Sequence, residues 1–197
     1  MTPLPPFHDD LDASLNELWR LLEAGAASAR SGFHTPSLAT IDGQGRPQVR
    51  TVVLRAADAA SGTLRFHCDR RSRKAEDIAR SGFAALHAYD AQDKVQIRVS
   101  GSAALHTEDV VADAAWAGSM AMSRVCYGTA PAPGTAIATG GAYTLPDEAA
   151  TGGGRANFCA VVIAAETLEF LYLDRRGHRR AGWTRSGEGW SGTWLVP

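Results

Sequence analysis

Short segments of alternating polarity are the feature of this sequence that most restricts its fold. Residues 95–100, VQIRVS, alternate apolar and polar side chains without a break, as a β-strand with one buried face requires. About six or seven strand-like segments follow residue 36, with helical patterns between them. The parallel strand–helix–strand alternation of a dinucleotide-binding sheet is missing, as is a GxGxxG motif. The pattern predicts an α+β fold built on an antiparallel β-barrel.

Helix signals occur in three places. Leucines at helical spacing, with acidic residues near their start, predict a helix over residues 9–30. Ser72 is suited to an N-cap, and a helix over residues 73–80 is expected to end at Gly82. Thr107 is expected to cap a further helix, because acidic residues follow it directly.

Turn residues divide the other segments into strands. The DGQG sequence at residues 42–45 predicts a hairpin, and the RTVVLR segment at residues 50–55 is expected to form one strand. Residues 158–173 are expected to form two strands with a turn at 165–166, and residues 189–195 an edge strand.

Length and composition predict a single domain over residues 1–197, because a chain of 197 residues can bury a sizeable core. We expect an N-terminal helical segment at 1–32 and a flexible loop or lid at 128–156, which is rich in Gly, Pro, Ala and Thr. The net charge of −1 gives no support to nucleic-acid binding. No apolar run approaches the roughly 20 residues that span a bilayer, and the N-terminus lacks the features of a secretory signal.

Cysteine usage indicates a reducing compartment. The three cysteines, Cys68, Cys126 and Cys159, are widely spaced and form neither a CxxC pair nor a zinc-binding pattern. We therefore expect a cytoplasmic protein with free thiols and no metal site.

Basic residues between Arg50 and Lys74 indicate an anion site. Arg50, Arg55, Arg73 and Lys74 all lie near predicted element ends, and a helix N-terminus favours anions because its first amides are unpaired. A bound phosphate would compensate the unfavourable basic residues in the first helical turn, although a nearby carboxylate or simple solvation of the strand arginines would also explain them.

No nucleophile–base constellation is recognisable, so the catalytic residues are left unassigned and a cofactor is expected to carry any chemistry. Gln96 has both a donor and an acceptor, which suits the mixed polar edge of a flavin ring, but a surface glutamine looks the same. The basic run at 178–183 suits either a substrate anion or a sheet edge.

Five segments match a known pattern in spacing as well as composition: RTVVLR (50–55), FHCDRRSRKAEDI (66–78), KVQIRVSG (94–101), TLEFLYLDRRGHRR (167–180) and WSGTWLVP (190–197). As a set they resemble the flavin-binding core of the pyridoxamine 5′-phosphate oxidase family. The resemblance implies a split β-barrel with inserted helices, FMN as cofactor, a homodimer that holds FMN at the subunit interface, and a small-molecule substrate.

The resemblance also implies roles for individual residues. Arg55 and Arg179 are expected to contact the substrate. The implied cofactor-binding residues are Arg50, Thr51, Val52, Val53, Leu54, His67, Cys68, Ser72, Arg73, Lys74 and Gln96.

The sequence departs from the family pattern in two places. His67 and Cys68 replace a Tyr-Thr pair, which exchanges one hydroxyl donor to the cofactor for a weak thiol. At the substrate end, Ala181 and Trp183 replace the last two members of an Arg-x-His-x-Arg run that begins here at Arg179. We therefore expect an FMN-dependent oxidoreductase whose substrate is unassigned. A genuine pyridoxamine/pyridoxine 5′-phosphate oxidase, a non-catalytic flavin-binding protein, and the same barrel with haem or another flavin-like molecule remain alternatives.

Overall fold

The computed structural model describes residues 3–187 and 189–197, in which every pairing of the nine-stranded sheet is antiparallel. The strands are β1 (Ser37–Ile41), β2 (Pro47–Thr51), β3 (Leu54–Asp58), β4 (Thr63–Asp69), β5 (Phe83–Asp90), β6 (Val95–His106), β7 (Phe158–Tyr172), β8 (Arg179–Ser186) and β9 (Gly189–Leu195). The helices are α1 (Leu11–Ala27), α2 (Arg73–Ser81), α3 (Val110–Ala117) and α4 (Ala121–Arg124), with 3-10 helices at Val125–Gly128 and Glu148–Asn157.

The sheet closes into a barrel because its two edge strands are neighbours in sequence. The order β2-β1-β5-β6-β7-β4-β3 places β2 and β3 at opposite edges, yet only two residues separate them. The Val52 amide donates to the Pro36 carbonyl (3.0 Å) and the Leu54 amide to the His34 carbonyl (2.9 Å). The prediction of one strand over residues 50–55 is therefore wrong, because these hydrogen bonds turn the chain from its β1 partner towards β4.

The long strands β6 and β7 continue through a β-bulge. Ser100 pairs with Thr167 while Gly101 pairs with Ala165, so Glu166 is an extra residue in β7. Gly101 has no room for a side chain, because a Cβ there would lie within 3.0 Å of the β7 backbone. The turn predicted in the middle of β7 is wrong, since one extra residue bends a continuous strand without reversing it.

Caps define the helix ends. The Asp10 side chain accepts a hydrogen bond from the Ala13 amide at the start of α1, and Gly82, with φ of 67°, ends α2 as predicted. The predicted cap at Thr107 is wrong, because the Asp109 carboxylate accepts from the Ala112 amide and starts α3 two residues later.

The core fills the barrel interior. Phe66 and Phe170 are fully buried inside it, and α1 packs its buried Leu18 and Leu22 into the same cluster. Each such side chain stabilises the fold by roughly 1.5–3 kcal/mol relative to exposure. A smaller cluster under α3 centres on the buried Phe158.

The expected loop at 128–156 is partly regular. Residues 129–147 contain no helix or strand apart from an isolated bridge between Ala130 and Thr144, but the 3-10 helix from Glu148 occupies the rest of the segment. The hairpin at 42–45 and the edge strand at 189–195 are confirmed.

Candidate functional site

The N-terminus of α2 is open to an anion. Ser72 is the N-cap residue, but its hydroxyl donates to the Asp69 carbonyl (2.7 Å) and makes no capping hydrogen bond to the helix. Lys74 Nζ lies 3.4 Å from the same hydroxyl oxygen. The positive end of the helix dipole and the Lys74 charge therefore add to one another.

A polar cavity of about 470 Å³ separates this helix from the β1–β2 hairpin and contains both Arg50 and Arg73. Arg50 donates to Thr40 Oγ1 (2.7 Å), and its guanidinium lies 3.7 Å from the buried carboxylate of Asp77. Burial lowers the pKa of Arg50. Arg73 forms no hydrogen bond or ion pair within the described part of the chain, so its charge is available to a ligand.

The segment that joins β2 to β3 alternates between core and solvent. Val52 and Leu54 are buried and Thr51 is exposed, while Val53 is half-buried. Because the Val52 and Leu54 side chains face the barrel interior, a ligand outside the barrel meets Thr51, Val53 and the backbone.

His67 and Cys68 face opposite sides of β4, as adjacent residues of a strand must. The buried Cys68 pairs with Cys159 of β7 across the sheet. The hydrogen bond with Cys68, together with burial, raises the pKa of Cys159. His67 instead packs edge-on against Phe158, with ring centroids 4.9 Å apart.

A second cavity, of about 190 Å³, is lined by Arg55, Arg65 and His67. Burial, together with the smaller effect of the Arg65 and Arg55 charges, lowers the pKa of His67 to about 4. Arg65 was not predicted as a site residue. The sequence does indicate the outward orientation of Arg65. This residue alternates with the buried Leu64 and Phe66 and therefore lies on the outer face of β4.

Gln96 lies on the outer face of the sheet. It pairs with Tyr89 of β5 and Leu171 of β7, and Leu171 pairs in turn with Arg180 of β8. Directly paired residues share a face, so the four side chains form one row. Arg180 also donates to Glu169 (2.9 Å), and sequence reasoning missed its place in this row.

Arg179 lines neither cavity, and its guanidinium forms an ion pair with Asp9 (2.6 Å). This ion pair lowers the pKa of Asp9. Ala181 and Trp183, on the same side of β8, are buried in the core. The structure therefore brings together Arg50 with Arg73, Ser72 with Lys74, and Arg55 with His67, whereas Gln96 and Arg179 stand outside these groups.

Residues 3–187 and 189–197 contain neither a membrane-spanning helix nor a metal-binding cluster. No helix there is long and apolar enough to cross a membrane, and no group of three or more His, Cys, Asp or Glu side chains is arranged to hold a metal ion.

Comparisons with known proteins identify the family of this chain. The model of the pyridoxamine 5′-phosphate oxidase FMN-binding domain matches residues 16–107. The chain is 30% identical to a pyridoxine/pyridoxamine 5′-phosphate oxidase of Gluconobacter oxydans over 178 residues, which cover 82% of each protein. The chain belongs to the pyridoxamine 5′-phosphate oxidase-like FMN-binding family. The antiparallel barrel is accordingly the family's split barrel, as expected.

Two further relatives of this family extend over the whole chain. A dihydrophenazinedicarboxylate synthase of Pseudomonas chlororaphis is 26% identical over 203 residues, 99% of this chain and 89% of that protein. The crystal structure of a pyridoxamine 5′-phosphate oxidase-related, FMN-binding protein of Nostoc punctiforme is 26% identical, with a TM-score of 0.69 and full coverage of both chains. The family match supports a flavin cofactor and an oxidoreductase role in general.

Proposed function

We propose that this protein is an FMN-dependent oxidoreductase of a small-molecule substrate, with its single domain assembled as a homodimer. The observation that carries the proposal is the uncapped α2 N-terminus, where Ser72, Arg73 and Lys74 meet in a chain whose family binds FMN. A phosphomonoester has the charge and the acceptor oxygens that such a group of donors requires.

We place the phosphate end of FMN at the α2 N-terminus, at the edge of the α2 cavity. Arg73 and Arg50 line this cavity, and Thr40 and Asp77 hold Arg50 in place. Lys74 follows Arg73 in the first turn of α2 but does not line the cavity. Because Asp77 already offsets part of the Arg50 charge, we assign the larger share of phosphate affinity to Lys74 and Arg73. Their charge-assisted hydrogen bonds contribute roughly 1.5–3 kcal/mol each.

The ring end fits the outer sheet face. The Gln96 amide offers one donor and one acceptor group to the flavin's polar edge, and Arg180 stands two strands away in the same row. When bound, FMN supplies the two-electron chemistry. The protein residues bind it, orient it and shield it from water, and we identify none of them as an acid or base.

The homodimer is supported by apolar side chains exposed around the same face. Val49 is 68% exposed and Phe83 55% exposed, and Ile41 and Tyr89 are also exposed. Contiguous exposed apolar side chains mark interaction surfaces, so we place the subunit interface, and FMN with it, on this side of the barrel. A cytoplasmic location is supported by three cysteines that are all free thiols.

The experiment that tests this proposal removes the Lys74 charge. Lys74→Gln should weaken FMN binding by roughly ten- to a hundredfold, since one charge-assisted hydrogen bond is lost. Riboflavin lacks the phosphate, so its affinity should not change. The dissociation constants of both are measured by quenching of flavin fluorescence.

The matched control is Lys94→Gln, because Lys94 is exposed in the β5–β6 turn. It should bind both flavins as the unsubstituted protein does. Equal loss of FMN and riboflavin in Lys74→Gln, or no loss of either, would refute the phosphate assignment. Absorbance spectra of the purified protein exclude haem if they show the paired near-ultraviolet and blue flavin bands.

Turnover assays separate the remaining alternatives. Two relatives are named for different substrates, a pyridoxine/pyridoxamine 5′-phosphate oxidase and a dihydrophenazinedicarboxylate synthase. Oxidation of pyridoxamine 5′-phosphate under oxygen would establish the first activity here. A flavin that no organic substrate or NAD(P)H reduces would instead indicate a binding protein.

A further inference from the structure

Two buried thiols lie opposite each other near the end of β4. Cys68 pairs directly with Cys159 of β7, and directly paired residues share a face of the sheet. Both side chains belong to the barrel core. We propose that Cys68 and Cys159 are a modification site, at which hydrogen peroxide closes a reversible disulfide between β4 and β7. This modification needs neither FMN nor a substrate and therefore goes beyond the proposed function.

The register of the β4–β7 ladder gives the spacing of the two cysteines. The Arg70 amide donates to the Asn157 carbonyl (2.8 Å) at the end of this ladder. Hydrogen-bonded pairs alternate with non-hydrogen-bonded pairs in an antiparallel ladder. The Cys68–Cys159 pair lies two residues further along each strand, so it is a hydrogen-bonded pair with Cα atoms about 5.5 Å apart. Disulfides favour Cα separations of roughly 5.5–6 Å.

The same register makes the disulfide easy to reduce. Cβ atoms of directly opposed residues in a sheet lie about 4.5–5.5 Å apart, and hydrogen-bonded pairs are at the longer end of this range. A disulfide requires roughly 3.5–4.5 Å between its Cβ atoms, so closing the bond draws the two strands together and strains the ladder. Strained disulfides are the more readily reduced ones, and a thiol reductant should therefore restore both cysteines.

The surroundings of Cys68 favour its thiolate, which is the form that reacts with peroxide. The hydrogen bond with Cys159 lowers the pKa of Cys68. The Lys74 charge and the Ser72 hydroxyl lower this pKa as well, whereas burial and the Asp69 charge raise it. Cys68 is 5% exposed, and hydrogen peroxide is little larger than a water molecule. Cys68 is therefore the thiol that we expect to react first.

Two successive substitutions at sulfur account for the reaction. The Cys68 thiolate attacks one peroxide oxygen, the O–O bond breaks, and hydroxide leaves and takes up the proton that Cys68 had released. The Cys159 sulfur then attacks the resulting Cys68 sulfenic acid, so that the S–S bond forms, the S–O bond breaks and water leaves with the Cys159 proton. The two thiols together lose two electrons and two protons, and one peroxide becomes two waters.

The thiol pair is a feature of this chain and not of the family pattern. Cys68 stands where that pattern has a threonine, so the pattern provides no thiol opposite Cys159. The third thiol, Cys126, is exposed in the 3-10 helix Val125–Gly128. It serves as an internal control for oxidation that depends on exposure alone.

The test treats the reduced full chain with hydrogen peroxide, unfolds it in urea, alkylates the remaining thiols and measures the intact mass. We expect two of the three thiols to resist alkylation, and dithiothreitol to restore them. The mass before alkylation should fall by about 2 Da, the mass of the two hydrogens lost. Trypsin places each cysteine on a separate peptide, so the expected product joins residues 66–70 to residues 156–175.

Two variants identify the partners. Cys126→Ser should give the same linked peptide, because Cys126 is not part of the pair. Cys159→Ala should give no linked peptide and should leave a Cys68 sulfenic acid that dimedone traps. If Cys159→Ala fails to fold, the peptide map of the unsubstituted protein still decides which cysteines are joined.

Three results would overturn the proposal. The first is the absence of a disulfide, the second a disulfide that includes Cys126, and the third an oxidation of Cys68 that dithiothreitol does not reverse. The rate of cross-linking should also rise in proportion to the peroxide concentration. A rate that is independent of peroxide would show that the chain has to unfold before it reacts, and the folded protein would then have no such site.

Discussion

Gly101→Ala tests whether the β6–β7 bulge requires a glycine. A Cβ at this position would lie 2.9 Å from the Ala164 carbonyl carbon and 2.9 Å from the Glu166 amide nitrogen, and closer still to the Ala164 oxygen. All three atoms belong to backbone that is fixed in the ladder. Relief therefore requires β6 and β7 to move apart along their longest pairing.

The expected cost follows from that geometry. Overpacking a tight site costs typically 1–3 kcal/mol, and the value here should be at the upper end because no flexible side chain can give way. A loss of about 3 kcal/mol corresponds to a melting temperature lower by roughly 6–12 °C for a chain of this length. The loss of pairing should also reach Gln96, five residues earlier on β6.

Differential scanning calorimetry and urea unfolding measure the effect. Gly140→Ala is the matched control, because a Cβ there meets no atom within 4 Å and its φ is not in the left-handed region. It should change the free energy of unfolding by less than about 1 kcal/mol. A Gly101→Ala protein that melts within experimental error of the control would refute the steric account of the bulge.

Two other predictions concern charges at the site. Asp77→Ala removes a buried carboxylate that pairs with Arg50 and Arg80. Breaking such a pair costs roughly 3–5 kcal/mol when both partners are buried. We expect a loss of about 2 kcal/mol in the free energy of unfolding here, because both arginines reach solvent. Urea unfolding measures this loss, and the control Glu76→Ala, at an exposed neighbouring position, should cost almost nothing. His67 has a pKa of about 4 in the folded protein, against an ordinary 6.5 in the unfolded chain. Between pH 6.5 and pH 4 the unfolded state therefore binds more protons than the folded state. The free energy of unfolding should fall as the pH falls through this range. After discounting for the ring's partial exposure, the loss amounts to roughly 1 kcal/mol. It is measured by comparing urea unfolding at pH 7 and pH 4.5, and it should vanish in His67→Gln. Equal pH dependence in the unsubstituted protein and in His67→Gln would refute this account of His67.

Local patterns predicted the elements well and their connections less well. The helix after Ser72 ends at Gly82 as its capping residues require, and the alternation over 95–100 forms part of β6. The prediction of one strand over residues 50–55 was wrong, because nothing in their own side chains marks the break between β2 and β3. The break is imposed by hydrogen bonds to the carbonyls of residues 34 and 36, which lie elsewhere in the sequence. Barrel closure generally depends on such non-local contacts, which a local pattern does not reveal.

In the candidate site as well, local features could be predicted from the sequence, and features that depend on contacts between strands could not. The α2 N-terminus at residues 72–74 could be predicted from the sequence, because an N-cap residue is a local signal, while its role in binding FMN stays a prediction. Arg179 was chosen over Arg180 by position in a motif, but only the register of β8 on β7 shows that Arg180, and not Arg179, shares a row with Gln96. The outward orientation of Arg65 could be predicted from its alternation with Leu64 and Phe66, but its position beside Arg55 depends on a bulge in another strand.

Barrel closure has a further consequence for the two cavities. Arg50 and Arg55 are five residues apart, yet Arg50 belongs to β2 and the α2 cavity while Arg55 belongs to β3 and the second cavity. Under the proposed function, this short basic segment supplies Arg50 to the cofactor phosphate, and the family resemblance implies that Arg55 contacts the substrate. The joint at residues 52 and 53, fixed by its hydrogen bonds to residues 34 and 36, then sets the spacing between cofactor and substrate.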